Sequence, residues 1–389
     1  MSLRRAIAEM DVTRVNVAAF CRDHSVSRDR FYEIRRRYEA EGDAGLAPRS
    51  RAPLRVANRT SPAMEDLIVT WRKELTDDGL DAGAETIKWH LDAGGVAAPD
   101  VSTIWRILTR RGFITPDPSK APRTAWKRFV AEFVNELWQT DATHTELADG
   151  TEVDVVNILD DHSRTCTRSH AVDGPTTGSD AWDAFVQAVD AYGIPASLLS
   201  DNGAPFTSKL FTDNLAALHV NTTNSRPFHP QTCGKVERFH QTLKKWLQAR
   251  PKPATVAELQ QLLDTFVDIY NNHRPHRGIG RRIPTDVYNT SPRIGPDTYS
   301  ALDETTVHHN TVDRSGRVEI PGPASITIGA AYTAETATTI RTGNHAHVFI
   351  NHQLVRELTI DPTRRPQPLY KRPGRPTQRP ETTPPTCTG

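Results

Sequence analysis

Cysteine is scarce and scattered. Cys21, Cys166, Cys233 and Cys387 are the only 4 in 389 residues, and no two form a Cys-x-x-Cys pair. That spacing offers neither a disulfide framework nor a cysteine zinc site, and it fits a reducing compartment. Long apolar runs are missing as well. No stretch approaches the roughly 18 residues of a membrane span, and the Met1-Ser2-Leu3-Arg4-Arg5 start is not followed by the apolar core of a signal peptide. The expectation is a cytoplasmic protein with no membrane partner. Net charge is nearly absent too, at +1 from 48 Lys and Arg against 47 Asp and Glu. An even spread of those charges would argue against a polyanionic partner, but the basic residues are clustered, and distribution matters more than the sum. With 37% hydrophobic residues the chain is not disordered as a whole, and its length allows about two to four domains.

The first 47 residues read as a helix-turn-helix domain. From Asn16 to Tyr38 two short helices flank a tight turn, with Val17, Phe20 and Cys21 apolar in the first and Phe31, Ile34 and Tyr38 in the second. Ser27 is a plausible N-cap. The second helix carries Arg28, Arg30, Arg35, Arg36 and Arg37, the pattern of a recognition helix touching bases and phosphates; a solvated basic face is the alternative. Residues 48–60 mix Pro, Arg and Ser without periodicity, as a basic linker would. A second helical unit, 61–115, opens at Ser61-Pro62 and carries Met64, Ile68, Trp71 and Leu75 at helical spacing, followed by Ala84, Ile87 and Leu91. Residues 101–111 then give a second candidate recognition helix with Ser102, Thr103, Arg106 and Arg110 directed at DNA. A helical bundle that only packs on the next domain is the competing reading. Residues 116–133, with Lys120, Arg123, Lys127 and Arg128, form a basic connector.

Near Glu136 the periodicity changes to two. Trp138, Thr140 and Ala142 alternate with Gln139, Asp141 and Thr143, which places Asp141 on the polar face of a strand. Strands are predicted over 152–159 and 164–171, a helix over 180–192, and a strand over 196–200 that delivers Asp201 at its C-terminal end, where open α/β sheets place ligands. A helix over 209–218 and a short strand near 220–224 follow. From Val236 onward Phe239, Leu243 and Leu247 mark an inward helix face, while Glu237, Gln241, Lys244 and Lys245 share another. A further amphipathic helix spans 256–272 and ends in His273, Arg274, His276 and Arg277, which could hold DNA or compensate the helix dipole. Beyond residue 300, Thr- and Val-rich runs are punctuated by Ser315-Gly316, Gly343-Asn344 and Asn351-His352, so 300–361 reads as a small β-barrel. Residues 362–389, rich in Pro, Thr and Arg, read as a disordered basic tail.

Three stretches together are specific. Residues 138–141, 199–206 and 229–243 resemble the Asp-Asp-Glu catalytic domains of retroviral integrases and bacterial insertion-sequence transposases, including thirty-five residues between the last two acids. Tyr270 to Gly278 resembles the stretch that closes that domain in the transposases. The resemblance covers 138–288 and implies a ribonuclease H-like α/β core over 134–290, with Asp141, Asp201 and Glu237 as metal ligands. It further implies two Mg²⁺ (or Mn²⁺) ions, with Asp141 bridging both and the other acids holding one each. Lys235, Arg238, Gln241, Lys244 and Lys245 would hold DNA near them. The implied partners are double-stranded DNA, both element ends and target, and at least one further copy of the chain. The implied chemistry is end cleavage followed by attack of the freed 3′-hydroxyl on target DNA. The His and Cys zinc module of retroviral integrases has no counterpart in this sequence, which favours the transposase branch. His144, His162, His229 and His240 lack zinc-like spacing. Asp160 and Asp161 rival the acids as ligands, but capping or an ion pair with Arg164 is the preferred reading. Two other classes compete: a DNA-binding regulator with an inert core, and a ribonuclease H-type nuclease acting on hybrid strands.

Overall fold

Two compact units, 1–61 and 62–389, make up the chain in the computed structural model, which describes residues 2–48, 59–115, 130–224, 234–300, 303–322 and 324–369. Most of the basic linker and connector, with His229, Cys233 and the last twenty residues, lies outside the described residues.

In the first unit, α1 (Leu3–Glu9), α2 (Val17–Asp23) and α3 (Arg28–Glu41) close over Ile7, Cys21, Phe31 and Ile34. Asn16 and Ser27 cap α2 and α3, their side-chain oxygens accepting from Ala19 N and Arg30 N. The helix pair was legible in sequence; the third, seven-residue helix α1 was not. It is held by Arg35, whose guanidinium donates to the carbonyls of Ile7 and Met10 at the end of α1.

The second unit begins with a three-helix bundle of α4 (Pro62–Asp77), α5 (Ala84–Ala93) and α6 (Val101–Arg110). Ile68, Leu75, Ile87, Leu91, Ile104, Ile107 and Leu108 fill it, and Leu80 packs against both this core and the next. The bundle meets the following domain backbone to backbone. Gly79 has φ +71, and a Cβ there would lie 2.8 Å from the Lys245 carbonyl oxygen. Only glycine permits that approach.

The central sheet has the order β3-β2-β1-β4-β5. β1 (Trp138–Glu146), β2 (Glu152–Asp160) and β3 (Cys166–Val172) form an antiparallel meander, and β4 (Ser197–Ser200) and β5 (Asn221–Asn224) join parallel to β1 and to each other. Alternation in β1 sends Trp138 and Ala142 to one face, against α7 (Gly178–Tyr192) and α9 (Lys209–Ala217). The other face packs on α10 (Gly234–Gln248) and α11 (Val256–Asn272) through Val155, Leu159, Phe239, Leu243, Trp246 and Phe266. This is a mixed α/β core, as expected. A capping box of Thr177 and Asp180 starts α7. Short helix α8 (Ala204–Thr207) follows β4, and α12 (Pro284–Thr290) ends the domain.

The C-terminal region differs from the closed barrel expected. β6 (Thr305–Thr311), β9 (Thr336–Thr342), β10 (His345–Ile350) and β11 (Gln353–Thr359) form one sheet in the order β11-β10-β9-β6, and β7 (Arg317–Glu319), β8 (Ser325–Thr327) and β12 (Pro366–Gln367) form another, β12-β8-β7. No closed sheet is present among the described residues; strands of two or three residues, separated by the Pro321-Gly322-Pro323 run, leave too few ladder donors to join the sheets. The two sheets share a core of Val318, Ile326, Ala346, Val348 and Ile350. Asn351 and His352 both have positive φ, 50° and 62°, as a two-residue hairpin requires. β12 also corrects the expected tail: residues 362–369 are structured, since Arg356 Nη1 donates to Gln367 O at 2.9 Å and its Nη2 to Pro368 O at 2.9 Å. Nor is this region a separate body. Phe349 packs on Trp182 of α7, ring centroids 5.0 Å apart, and joins the core of the central sheet.

Candidate active site

Three acids approach one another from three elements. Asp141 leaves β1 on the face that α10 covers. Asp201 is the first residue past β4, and β1 and β4 run parallel with Trp138 against Leu198 and Gln139 against Leu199. Asp201 Oδ1 accepts the Gly203 N–H at 2.8 Å, so the carboxylate folds back over its own backbone; a Cβ on residue 203 would sit 2.8 Å from that oxygen. Glu237 projects from the first turn of α10, where the helix dipole favours a negative charge.

The three sense one another electrostatically. Burial, then the Asp201 charge and, more weakly, Glu237 push the Asp141 carboxyl up to about 6, against a hydrogen bond from the Ala142 N–H. The nearest candidate counter-charge is His240, with Nδ1 3.7 Å from Asp141 Oδ2. Burial pulls that imidazole down to about 4, so it is neutral at pH 7 and cannot offset the acids. The result is a hard-oxygen donor set with surplus negative charge, the environment a divalent cation such as Mg²⁺ suits. The acids are not drawn together as tightly as ligands of a single ion. Among the described residues they do not bring one oxygen each within 4.8 Å of the others.

Around the acids the cations divide. Arg238 and Gln241 stay on the exposed face with Glu237, joined by a 2.9 Å hydrogen bond, and Lys244 lies half-buried beside His240. Lys235 and Lys245, both expected on DNA, are engaged within the fold. Lys235 pairs with the buried Asp161, and Lys245 Nζ donates to the Leu80 carbonyl at 2.6 Å. Asp160 and Asp161 are structural, as preferred. Asp160 accepts from the N–H groups of Asn135 and Ser163 at 2.8 and 2.7 Å, and Asp161 accepts from Ala131 N–H and Gln139 and stands 3.6 Å from Arg164. His162 is satisfied by Ala131 O and Ser291 Oγ. At the cationic end of α11, His273 and Arg277 are exposed while Arg274 and His276 turn inward. Arg274 pairs with Asp81 of the helical bundle and lies 5.1 Å over the Tyr270 ring, Arg281 pairs with Glu85, and burial holds His276 down at about 3.

On the N-terminal helices Arg28 and Arg36 are exposed. Arg30 is paired with Glu33 at 2.6 Å, and Arg35, expected on DNA, is taken by the carbonyls ending α1. On α6, Ser102 and Arg106 are exposed and hydrogen-bonded to each other at 3.4 Å, Thr103 is half-buried, and Arg110 pairs with Glu65 at 2.6 Å. Trp105 is 44% exposed beside Arg106, a large ring left outside the bundle core that sequence reading passed over. The only signal for it was an apolar residue off the Ile104-Ile107-Leu108 face.

Comparison with known proteins agrees in placement. Residues 131–230 and 218–284 match two integrase core domain families, residues 30–108 a homeodomain-like domain and residues 4–53 a helix-turn-helix domain. A 39.2 kDa protein of insertion element IS476 from Xanthomonas euvesicatoria is 23% identical over 158 residues, covering 41% of this chain and 45% of that protein. The Pol-related polyprotein of mouse intracisternal A-particle MIA14 is 30% identical over 131 residues, 33% of this chain and 14% of its own length. The chain thus spans less than half the length of these relatives. Among solved structures, the HTLV-2 integrase catalytic core domain in complex with magnesium shows 19% identity and a TM-score of 0.34, covering 42% of this chain and 99% of that one. Integrase core and helix-turn-helix domain matches thus stand together in one chain, which is similar to a protein of an insertion element.

Proposed function

We propose that the protein binds the terminal inverted repeats of its mobile element, cleaves the DNA ends and joins their 3′-hydroxyls to target DNA, acting as at least a dimer. The observation that carries this reading is the charge coupling of Asp141 to Asp201 and Glu237, from elements far apart in the chain, with the adjacent His240 neutral. Asp141, Asp201 and Glu237 would hold two Mg²⁺ (or Mn²⁺) ions, with Asp141 shared. Bound there, the ions would activate an oxygen nucleophile, steady the leaving oxygen and neutralise charge developing on phosphorus.

The chain's own residues supply the rest. The sheet fixes Asp141, and the Gly203 N–H fixes Asp201. His240, neutral and carried by the same helix as Glu237, lies beside Asp141 without adding a charge. Arg238, Gln241 and Lys244 offer donors to phosphates on the face that carries Glu237. Arg28, Arg36, Ser102, Thr103 and Arg106 are the side chains best placed for end recognition, with Trp105 adding a stacking or methyl-contact surface. Arg30, Arg35, Arg110, Lys235 and Lys245 contribute first to the fold.

The test is end binding and strand transfer on oligonucleotide duplexes bearing the element ends. Asp141→Asn, Asp201→Asn and Glu237→Gln should each lower Mg²⁺-dependent transfer by at least about a hundredfold and leave end binding largely intact. Transfer retained by any one removes that residue from the site. End binding without metal-dependent cutting in the wild type would identify a DNA-binding regulator. Cleavage of RNA–DNA hybrids in preference to element ends would identify a nuclease of the ribonuclease H type.

A further inference from the structure

A second cluster of ligating side chains lies where the C-terminal sheet meets the catalytic domain. His219 follows α9, His347 lies within β10, and Glu357 on β11 is paired directly opposite His347 in the strand register. One donor atom from each falls within 4.8 Å of the other two; Glu357 Oε1 is 3.9 Å from His219 Nε2 and 3.8 Å from His347 Nε2.

His347 makes this more than a chance grouping. It is 2% exposed, and its buried Nε2 has no hydrogen-bond partner among the described residues. The ring also interacts with the Ala217 backbone at the end of α9. A second bond of this kind is the usual way a metal-binding histidine is oriented. The unpartnered Nε2 points at the Glu357 carboxylate from 3.8 Å, beyond direct hydrogen-bond length but close enough for both to reach one cation. His219 reaches the same point from a left-handed backbone, φ +57, which costs energy for a residue other than glycine. The Tyr299 ring, with centroids 5.9 Å from His219 and 6.4 Å from His347, closes one side, while His219 and Glu357 keep the other open to solvent.

We propose that His219, His347 and Glu357 bind one Zn²⁺ that fastens the C-terminal sheet to the catalytic domain, with water as fourth ligand. Two imidazoles and a carboxylate favour zinc over Mg²⁺ or Mn²⁺, which prefer oxygen alone. Around a tetrahedral zinc at about 2.1 Å the ligand atoms stand about 3.4 Å apart, so the exposed His219 and Glu357 need only a small inward shift. The site would clamp β10 and β11 to α9, which leads into β5 beside the strand that delivers Asp201.

The experiment uses the full chain, stripped with chelator and titrated with Zn²⁺ against a chromophoric competitor, with Co²⁺ as a spectroscopic probe. Because the acid site can also take divalent ions, Asp141→Asn is titrated alongside. The wild type and Asp141→Asn should each bind one zinc tightly, give the visible bands of tetrahedral Co²⁺, and show a chelator-reversible rise in Tm on zinc addition. His219→Ala and Glu357→Gln, both at exposed positions that leave the core intact, should lose at least about a hundredfold in zinc affinity, together with the cobalt bands and the Tm rise. Zinc binding by His219→Ala and Glu357→Gln equal to wild type, or no tight zinc in the wild type, overturns the proposal.

Discussion

His240 and Asp141 stand 3.7 Å apart, and burial pushes both toward their neutral forms, the imidazole down to about 4 and the carboxyl up to about 6. The spacing alone would suggest a salt bridge, but burial of both groups decides otherwise. Above pH 6 the pocket therefore holds uncompensated acid charge, with Asp201 close by.

This charge has a cost that the metal-free protein carries. The Asp141 carboxyl is raised from 3.8 to about 6, so its contribution to stability is intact below pH 4, falls as pH rises through the window from 4 to 6, and stays reduced above it. The shift corresponds to a penalty of up to about 3 kcal/mol. Asp141→Asn removes it. In chelator at pH 7.5 that variant should melt above the wild type, and the gap should close near pH 4. Added Mg²⁺ should raise the wild-type Tm more than that of Asp141→Asn. Thermal melts across pH, with and without Mg²⁺, check all three outcomes.

On α3, the adjacent Arg35 and Arg36 should behave differently. Arg36 is exposed, and its replacement by alanine should weaken DNA binding and lower the salt slope of log K by about 1. Arg35 holds the carbonyls ending α1, so Arg35→Ala should cost about 1–3 kcal/mol of N-terminal unit stability. The isolated 1–61 segment, a compact unit, allows the stability measurement by denaturant titration. Salt-dependent binding of the full chain gives the other. A salt-slope change in Arg35→Ala with no loss of stability would return Arg35 to the DNA surface.

The Arg274–Asp81 pair latches the helical bundle to the catalytic core. Asp81 is held below its usual range by Arg274 although burial opposes this, so the latch contributes above the ordinary carboxylate range and is lost as pH falls through the lowered value. Asp81 is 42% exposed and solvent screens the charge; the effect of Arg274→Ala comes mainly from packing lost over Tyr270, about 1–2 kcal/mol. Limited proteolysis should show faster cutting near residues 78–82 in that variant. Unchanged cutting would mean the latch is idle.

Local order explains what the sequence disclosed. Alternation set Asp141 on the polar face of β1, and the 3.6 period placed α11 over 256–272 and separated Glu237 from Phe239 and Leu243. Periodicity assigns a face but not a partner. Lys235 and Lys245 lie on a basic helix face, yet their partners, Asp161 and the Leu80 carbonyl, come from remote stretches of chain. Arg274 is the same case. Barrel closure likewise depends on pairing between distant strands, which turn signals at Gly316, Gly343 and Asn351 could not settle. At Pro366 composition misled: proline-rich sequence reads as tail, while the edge of a small sheet accepts it. The short α1 is stabilised by Arg35 from another helix rather than by its own seven residues.

Anomalous diffraction from crystals grown with Mn²⁺ shows whether Asp141, Asp201 and Glu237 share divalent metal. The expected result is Mn²⁺ peaks about 2.1 Å from carboxylate oxygens, with Asp141 shared and Asp201 and Glu237 each on an ion. Peaks that leave any of the three acids unligated, with its carboxylate turned away from the metal, would contradict it.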